Sequence, residues 1–332
     1  GGGEIEFNSG HSLSNYHTTI NADGLIFHDL IVNIYNTATS NASSAIFSGS
    51  NIQVQGDLTH EDGVIEGTLY LQGDLSVNSG ASSGSILGGT GWIVFNGSSD
   101  QYYSILSGSP RTVGIEIDKP SGSVLPLVPT DDFSVGRFKL TGGTFVAPQG
   151  IFRVGINIAY VSTNIFTITA GTFTHSNGTF IFDPICQEDA RVPSVTLPAS
   201  GLSLYDLQID VHNTVGGTSG SQLGVSGGEI TVLNDLHISD GSFYGIINLH
   251  QDFTADAEAT EGSSFSNLGY VKFVGTTDQY YGYTSTDTRI ISFEVDKTSG
   301  SVLPTNPTGN LFISKLLIHN GDFHAPSGEL HI

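Results

Sequence analysis

Positive charge is scarce in this 332-residue chain: 10 Lys and Arg stand against 32 Asp and Glu, a formal net charge of −22. Neutralising phosphates takes clustered Lys and Arg, so nucleic acid is excluded as a partner. The single Cys permits neither an internal disulfide nor a thiolate zinc site. No apolar run reaches the roughly 18 residues that a transmembrane helix requires. Charged residues of both signs make up only 13% of the chain, against about 25% in an ordinary globular protein. That sets the chain apart from highly charged disorder, and 38% apolar content suffices for a core. Met is absent, which points to a processed product or a fragment whose signal peptide has gone.

Gly, Ser, Thr, Asn, Asp, Val, Ile and Phe outweigh the good helix formers, a balance that favours turns and strands. No stretch carries apolar residues at helical spacing. Alternation of period two recurs instead, as in Ile52/Val54, Leu69/Leu71, Ile115/Ile117, Phe138/Leu140, Leu207/Ile209/Val211 and Ile230/Val232. Each run is short and bounded by Gly, Asn, Asp or Ser, which predicts an all-β chain of many brief strands.

A long internal repeat organises these strands. GWIVFNGSSDQYYS at 91–104 returns as GYVKFVGTTDQYYG at 269–282, and EIDKPSGSVLP at 116–126 returns as EVDKTSGSVLP at 294–304. The offset is 269 − 91 = 178, and 25 of the 64 positions from Gly91/Gly269 to Val154/Ile332 are identical. The same offset aligns 52–75 with 230–253. Upstream the likeness fades, but IFHDLIVN at 26–33 still resembles SLYDLQID at 203–210, and EIEFN at 4–8 resembles TFIFD at 179–183. The expected organisation is an incomplete first copy over 1–154 and a second over 155–332, joined in one continuous solenoid. Strand centres within a copy recur roughly every 20 to 22 residues, the beat of a parallel β-helix or β-solenoid with about 15 coils. Two successive β-sandwiches are the alternative, although their strands would follow one another every 8–12 residues or so.

LTGGTFVAPQG at 140–150, TAGTFTHSNGTFIFD at 169–183, GDLSVNSG at 73–80 and IEIDKPSGSV at 115–124 resemble the repeats of large secreted or surface-displayed bacterial β-helix proteins of the adhesin and exoprotein type. The resemblance implies an elongated structural or adhesive protein, extracellular or on the cell surface. It brings no catalytic motif, and the expected chain is not an enzyme.

Candidate functional residues follow from the repeat. Asp57, Asp74, Asp235 and Asp252 occupy equivalent corner positions, where stacked carboxylates could bind Ca²⁺ or form Asx-type turns. Asp118 and Asp296 precede Lys119 and Lys297, a pairing that reads as a weak surface ion pair. Tyr102, Tyr103, Tyr280 and Tyr281 form the strongest aromatic repeat. If exposed they could stack on cell-surface glycans, and if they alternate, one of each pair points inward. Cys186, in DPICQEDARVP, could crosslink subunits in an oxidising space. His319, His324 and His331 face Thr141, Val146 and Arg153 in the first copy, so the repeat encodes no histidine metal site and scattered surface histidines are expected. Asp131/Asp132 or Glu258/Glu261 could serve as the acid and base of a polysaccharide-degrading β-helix enzyme, the alternative to a structural role. Head-to-tail self-association into filaments is expected of open coil edges.

Overall fold

The computed structural model describes residues 3–11, 17–36, 44–78, 91–105, 114–155, 164–186, 192–213, 222–256, 269–284 and 291–332. These form a β-solenoid of about 10 turns in all, divided into two compact units: 1–158 with 166–176, and 159–165 with 177–332.

In the first unit the strands of one face pair in parallel in the series Glu4–His11, Asp29–Asn36, Leu58–Asp62, Leu75–Val77, Gln101–Ile105 and the second half of Gly114–Pro126. A second face runs through Ile26–Phe27, Ile52–Val54, Thr68–Leu71, Trp92–Phe95, the first half of Gly114–Pro126 and Phe138–Val146. His17–Asn21, Ser44–Ser48 and Val64–Glu66 form a third. The second unit repeats the scheme, with Leu207, Leu236, Phe253 and Tyr281 in register on successive coils. Parallel pairing between strands a whole coil apart rules out tandem β-sandwiches, which are built from antiparallel sheets.

Inward residues stack in columns because parallel in-register strands place like positions above one another. Ile52, Leu69, Ile93, Ile115 and Phe138 form one such column, each at most 1% exposed. Phe138 continues it by stacking on Phe166, ring centroids 5.2 Å apart. No single coil could bury these side chains, so the stacking itself supplies the core.

The turns number about 10 rather than 15, and the step from coil to coil is uneven. Asp57 bonds to Asp74, 17 residues on, and Asp74 to Tyr102, 28 residues on. The second unit keeps the same steps, 17 from Asp235 to Asp252 and 28 from Asp252 to Tyr280. Gly67, at φ +95°, allows one of the tight passes: a Cβ there would sit 2.2 Å from the Phe47 carbonyl oxygen.

Candidate functional site

The repeated corner aspartates are staples between coils. Asp29 Oδ1 accepts the Asp57 N–H at 2.9 Å, Asp57 Oδ1 accepts the Asp74 N–H at 2.8 Å, and Asp74 Oδ1 accepts the Tyr102 N–H at 2.7 Å. In the second unit Asp206, Asp235 and Asp252 take the N–H groups of Asp235, Asp252 and Tyr280. Each carboxylate satisfies a corner N–H one coil on, which the strand ladder leaves unpaired. Asp100 and Asp278 do the same for Ser123 and Ser301. The backbone bond from Asp57 lowers the Asp29 pKa, while burial raises that of Asp235.

Asp132 belongs to this set too. Its Oδ1 accepts the Ile151 N–H at 2.8 Å, and Asn310 Oδ1 accepts the Glu329 N–H at 2.9 Å at the equivalent place in the second copy. A neutral amide performs the same task, so a structural role accounts for this position without acid–base chemistry. Glu258 and Glu261 lie outside the described residues.

The two lysines overturn the expectation of surface ion pairs. Lys119 is 4% exposed and Lys297 1%. Lys119 Nζ donates to Gly97 O at 2.7 Å, Ser99 O at 2.8 Å and Gln101 Oε1 at 2.6 Å. Lys297 reproduces this on Gly275 O, Thr277 O and Gln279 Oε1, at 2.7, 2.8 and 2.6 Å. Gln101, also buried, accepts the Gly97 N–H and donates to Leu71 O and Gly73 O on the preceding coil. The ammonium thus fills all three donor directions inside a loop supplied by the coil before it. Burial lowers both lysine pKa values; Asp100 and Asp74 oppose the shift at Lys119, and Asp278 opposes it at Lys297. The repeated sequence GSSDQYY…DKPSGS is therefore a buried clamp.

The tyrosine pairs alternate. Tyr103 and Tyr281 are each 3% exposed. Each donates its hydroxyl to a carbonyl 43 residues on, Val146 O at 3.0 Å and His324 O at 2.9 Å, and each stacks on a phenylalanine, Phe145 or Phe323. Burial pushes both phenol pKa values up. Tyr102 and Tyr280 face outward, 39% and 41% exposed, and of the four they alone have the exposure that stacking on an external ring requires. Trp92 carries Arg137 over its ring at 4.6 Å, matched by Lys315 over Tyr270 at 5.7 Å.

Family models, curated proteins and solved structures were all compared with the chain, and none matches. Its function has to be read from its own geometry.

Two histidines depart from the expected scatter over the surface. His60 is 1% exposed, with Nε2 2.9 Å from Gly63 O. Its Nδ1 is buried without a partner, and burial takes its pKa down to about 4. His212 lies among three aspartates. Its Nε2 is 3.1 Å from Asp210 Oδ1 and 3.6 Å from Asp183 Oδ1, and its Nδ1 is 3.1 Å from Asp240 Oδ2. Asp183, Asp210 and His212 each offer a ligand atom within 4.8 Å of the others, and among the described residues they are the group placed to hold a metal. The aligned first-copy residues are Asn8, Asn33 and Tyr35. That concerted change from neutral to metal-binding side chains was the signal in the sequence.

Cys186 sits in the strand Ile185–Cys186, paired with His212–Asn213, and its side chain lies outside what is described. A cavity of about 240 Å³ in the second unit is lined by Tyr281, Tyr283, Asn306, Asn310 and Phe312 among others. Among the described residues no helix is long and apolar enough to cross a membrane.

Proposed function

We propose that the chain is a non-enzymatic structural protein of the cell exterior, a segment of a fibre, sheath, stalk or adhesin whose copies join end to end. The observation that carries this reading is the use to which the repeated polar residues are put. Lys119/Lys297, Gln101/Gln279 and the paired aspartates fasten one coil to the next in both copies. Duplicating such a unit adds length and stiffness, whereas catalysis needs one asymmetric constellation. The resemblance to secreted β-helix repeats supports the location, and the −22 charge favours solubility over a long surface. A coil edge presents a row of N–H and C=O groups that a coil of another copy can pair with, a heterologous contact that propagates without closing. Negative-stain electron microscopy of concentrated protein is expected to show linear filaments. Short particles of uniform length at every concentration would rule out end-to-end assembly.

A second reading is favoured by the exposed Tyr102 and Tyr280, which recur at the same place in each copy. Outward aromatic rings at equivalent sites suit repeated contact with sugar rings of cell-surface glycans. On a glycan array, the double variant Tyr102→Ala/Tyr280→Ala is expected to lose any signal the native chain gives. Retention of that signal would exclude the two tyrosines as the contact.

A further inference from the structure

We propose that Asp183, Asp210 and His212 form a binding site for a divalent cation of the Zn²⁺ type, unique to the second copy. The donor set is mixed, two carboxylate oxygens and one imidazole nitrogen, as in open four-coordinate sites where solvent completes the shell. The spacing comes close, one distance within the tetrahedral range and one about 0.2 Å short of it. With metal–ligand bonds of about 2.0–2.2 Å, the corners of a tetrahedron lie about 3.3–3.6 Å apart. His212 Nε2 stands 3.1 Å from Asp210 Oδ1 and 3.6 Å from Asp183 Oδ1.

The imidazole is oriented for this task. Asp240 Oδ2 lies 3.1 Å from His212 Nδ1, so a proton on Nδ1 leaves the Nε2 lone pair facing the two carboxylates. Asp240 is itself fixed, because its Oδ1 accepts the Gly241 N–H at 2.7 Å. A carboxylate behind the ligating histidine is the usual device for setting its tautomer and raising its basicity. Asp210 and Asp240 pair on successive coils, and Asp183 follows the strand that pairs with Asp206–Asp210. A bound ion would join two coils directly and brace a third through Asp240.

The internal repeat supplies an independent argument. The aligned residues of the first copy are Asn8, Asn33 and Tyr35, and Asn8 and Asn33 are in register on neighbouring strands. The same coil positions therefore accept neutral side chains. The second copy differs at all three positions, and there the three side chains are potential metal ligands. The carboxylates of Asp183 and Asp210 are only 14% and 15% exposed, while the His212 side chain is 44% exposed. The anionic side is thus partly desolvated, which strengthens its attraction for a cation, and an entry path remains.

The test uses the full chain, stripped with chelator and titrated with Zn²⁺ by calorimetry. One Zn²⁺ is expected per chain, with increased amide protection over 179–183 and 206–210. His212→Tyr and Asp210→Asn, which install the first-copy residues, are expected to weaken binding about 100-fold or more. Asp240→Asn, which alters only the partner of His212 Nδ1, is expected to weaken it about 10–100-fold. Unchanged circular dichroism of the metal-free variants checks the fold. If a variant does not fold, Asp183→Asn takes its place. No binding by the native chain, or binding that survives His212→Tyr and Asp210→Asn at full affinity, overturns the proposal.

Discussion

Replacing Lys119 by Met is expected to destabilise the first unit by about 3–5 kcal/mol, because it leaves the neutral acceptors around the ammonium short of a donor. Met has nearly the same length and fills the same space, so the loss isolates the ammonium. Gly97 O, Ser99 O and Gln101 Oε1 all lose a donor, and each unsatisfied buried acceptor costs about 1–3 kcal/mol. Gln101 retains the Gly97 N–H and its own bonds to Leu71 O and Gly73 O, which keeps the total at the lower end of a simple sum. Because repeat arrays need not unfold in one step, native-state hydrogen exchange is the proper measurement. Protection is expected to fall over 97–101 and the strands on either side, and to stay unchanged over 275–279. Lys297→Met is expected to give the mirror result. A change below about 1 kcal/mol in either unit would show that the lysines are passengers in a loop that other contacts hold.

Acid is expected to loosen the first unit through His60. In the folded chain its pKa is about 4, against about 6.5 in an unfolded chain. Between those values the unfolded form binds the proton and the folded form does not. Stability is therefore complete above pH 6.5 and falls as the pH drops toward 4. The full window corresponds to about 3 kcal/mol at 1.36 kcal/mol per pH unit. The second copy suggests the control: Ile238 occupies the equivalent position and is fully buried, in register with Ile209 and Ala255 on its neighbours. His60→Ile is expected to remove this part of the acid dependence from the first unit and to raise its stability at pH 5. It also removes a buried nitrogen that has no partner. Parallel pH slopes for the native and His60→Ile chains, by hydrogen exchange over 58–62, would refute the assignment.

The repeat supplies a control for both experiments: Ile238 provides the replacement for His60, and Lys297 leaves an intact copy of the clamp in the second unit. It also limits what can be read from one copy alone. Tyr102 and Tyr103 are adjacent and chemically identical, and alternation along a strand requires that they face opposite ways. That much was legible in the sequence, but which of the two faces the core was not. Lys119 was misread for a similar reason. An Asp–Lys dipeptide running into Pro-Ser-Gly-Ser looks like the start of a solvated turn, and nothing local announces that a loop 18 to 22 residues earlier encloses the ammonium.

Composition and periodicity by themselves determined that this chain is all-β, that its core residues alternate along short strands, and that a unit of 178 residues occurs twice. These properties depend on local preference and on self-similarity, both of which are written along the chain. Tertiary structure alone decided which polar residues meet. Lys119 with Gln101, Asp74 with Tyr102, and Asp183 with Asp210 and His212 are neighbours only because coils of 17 to 29 residues stack in parallel register. Since the coil length changes from turn to turn, no fixed spacing marks such partners in the sequence. The physical cause is that lateral neighbours in a solenoid are set by the path of a whole turn.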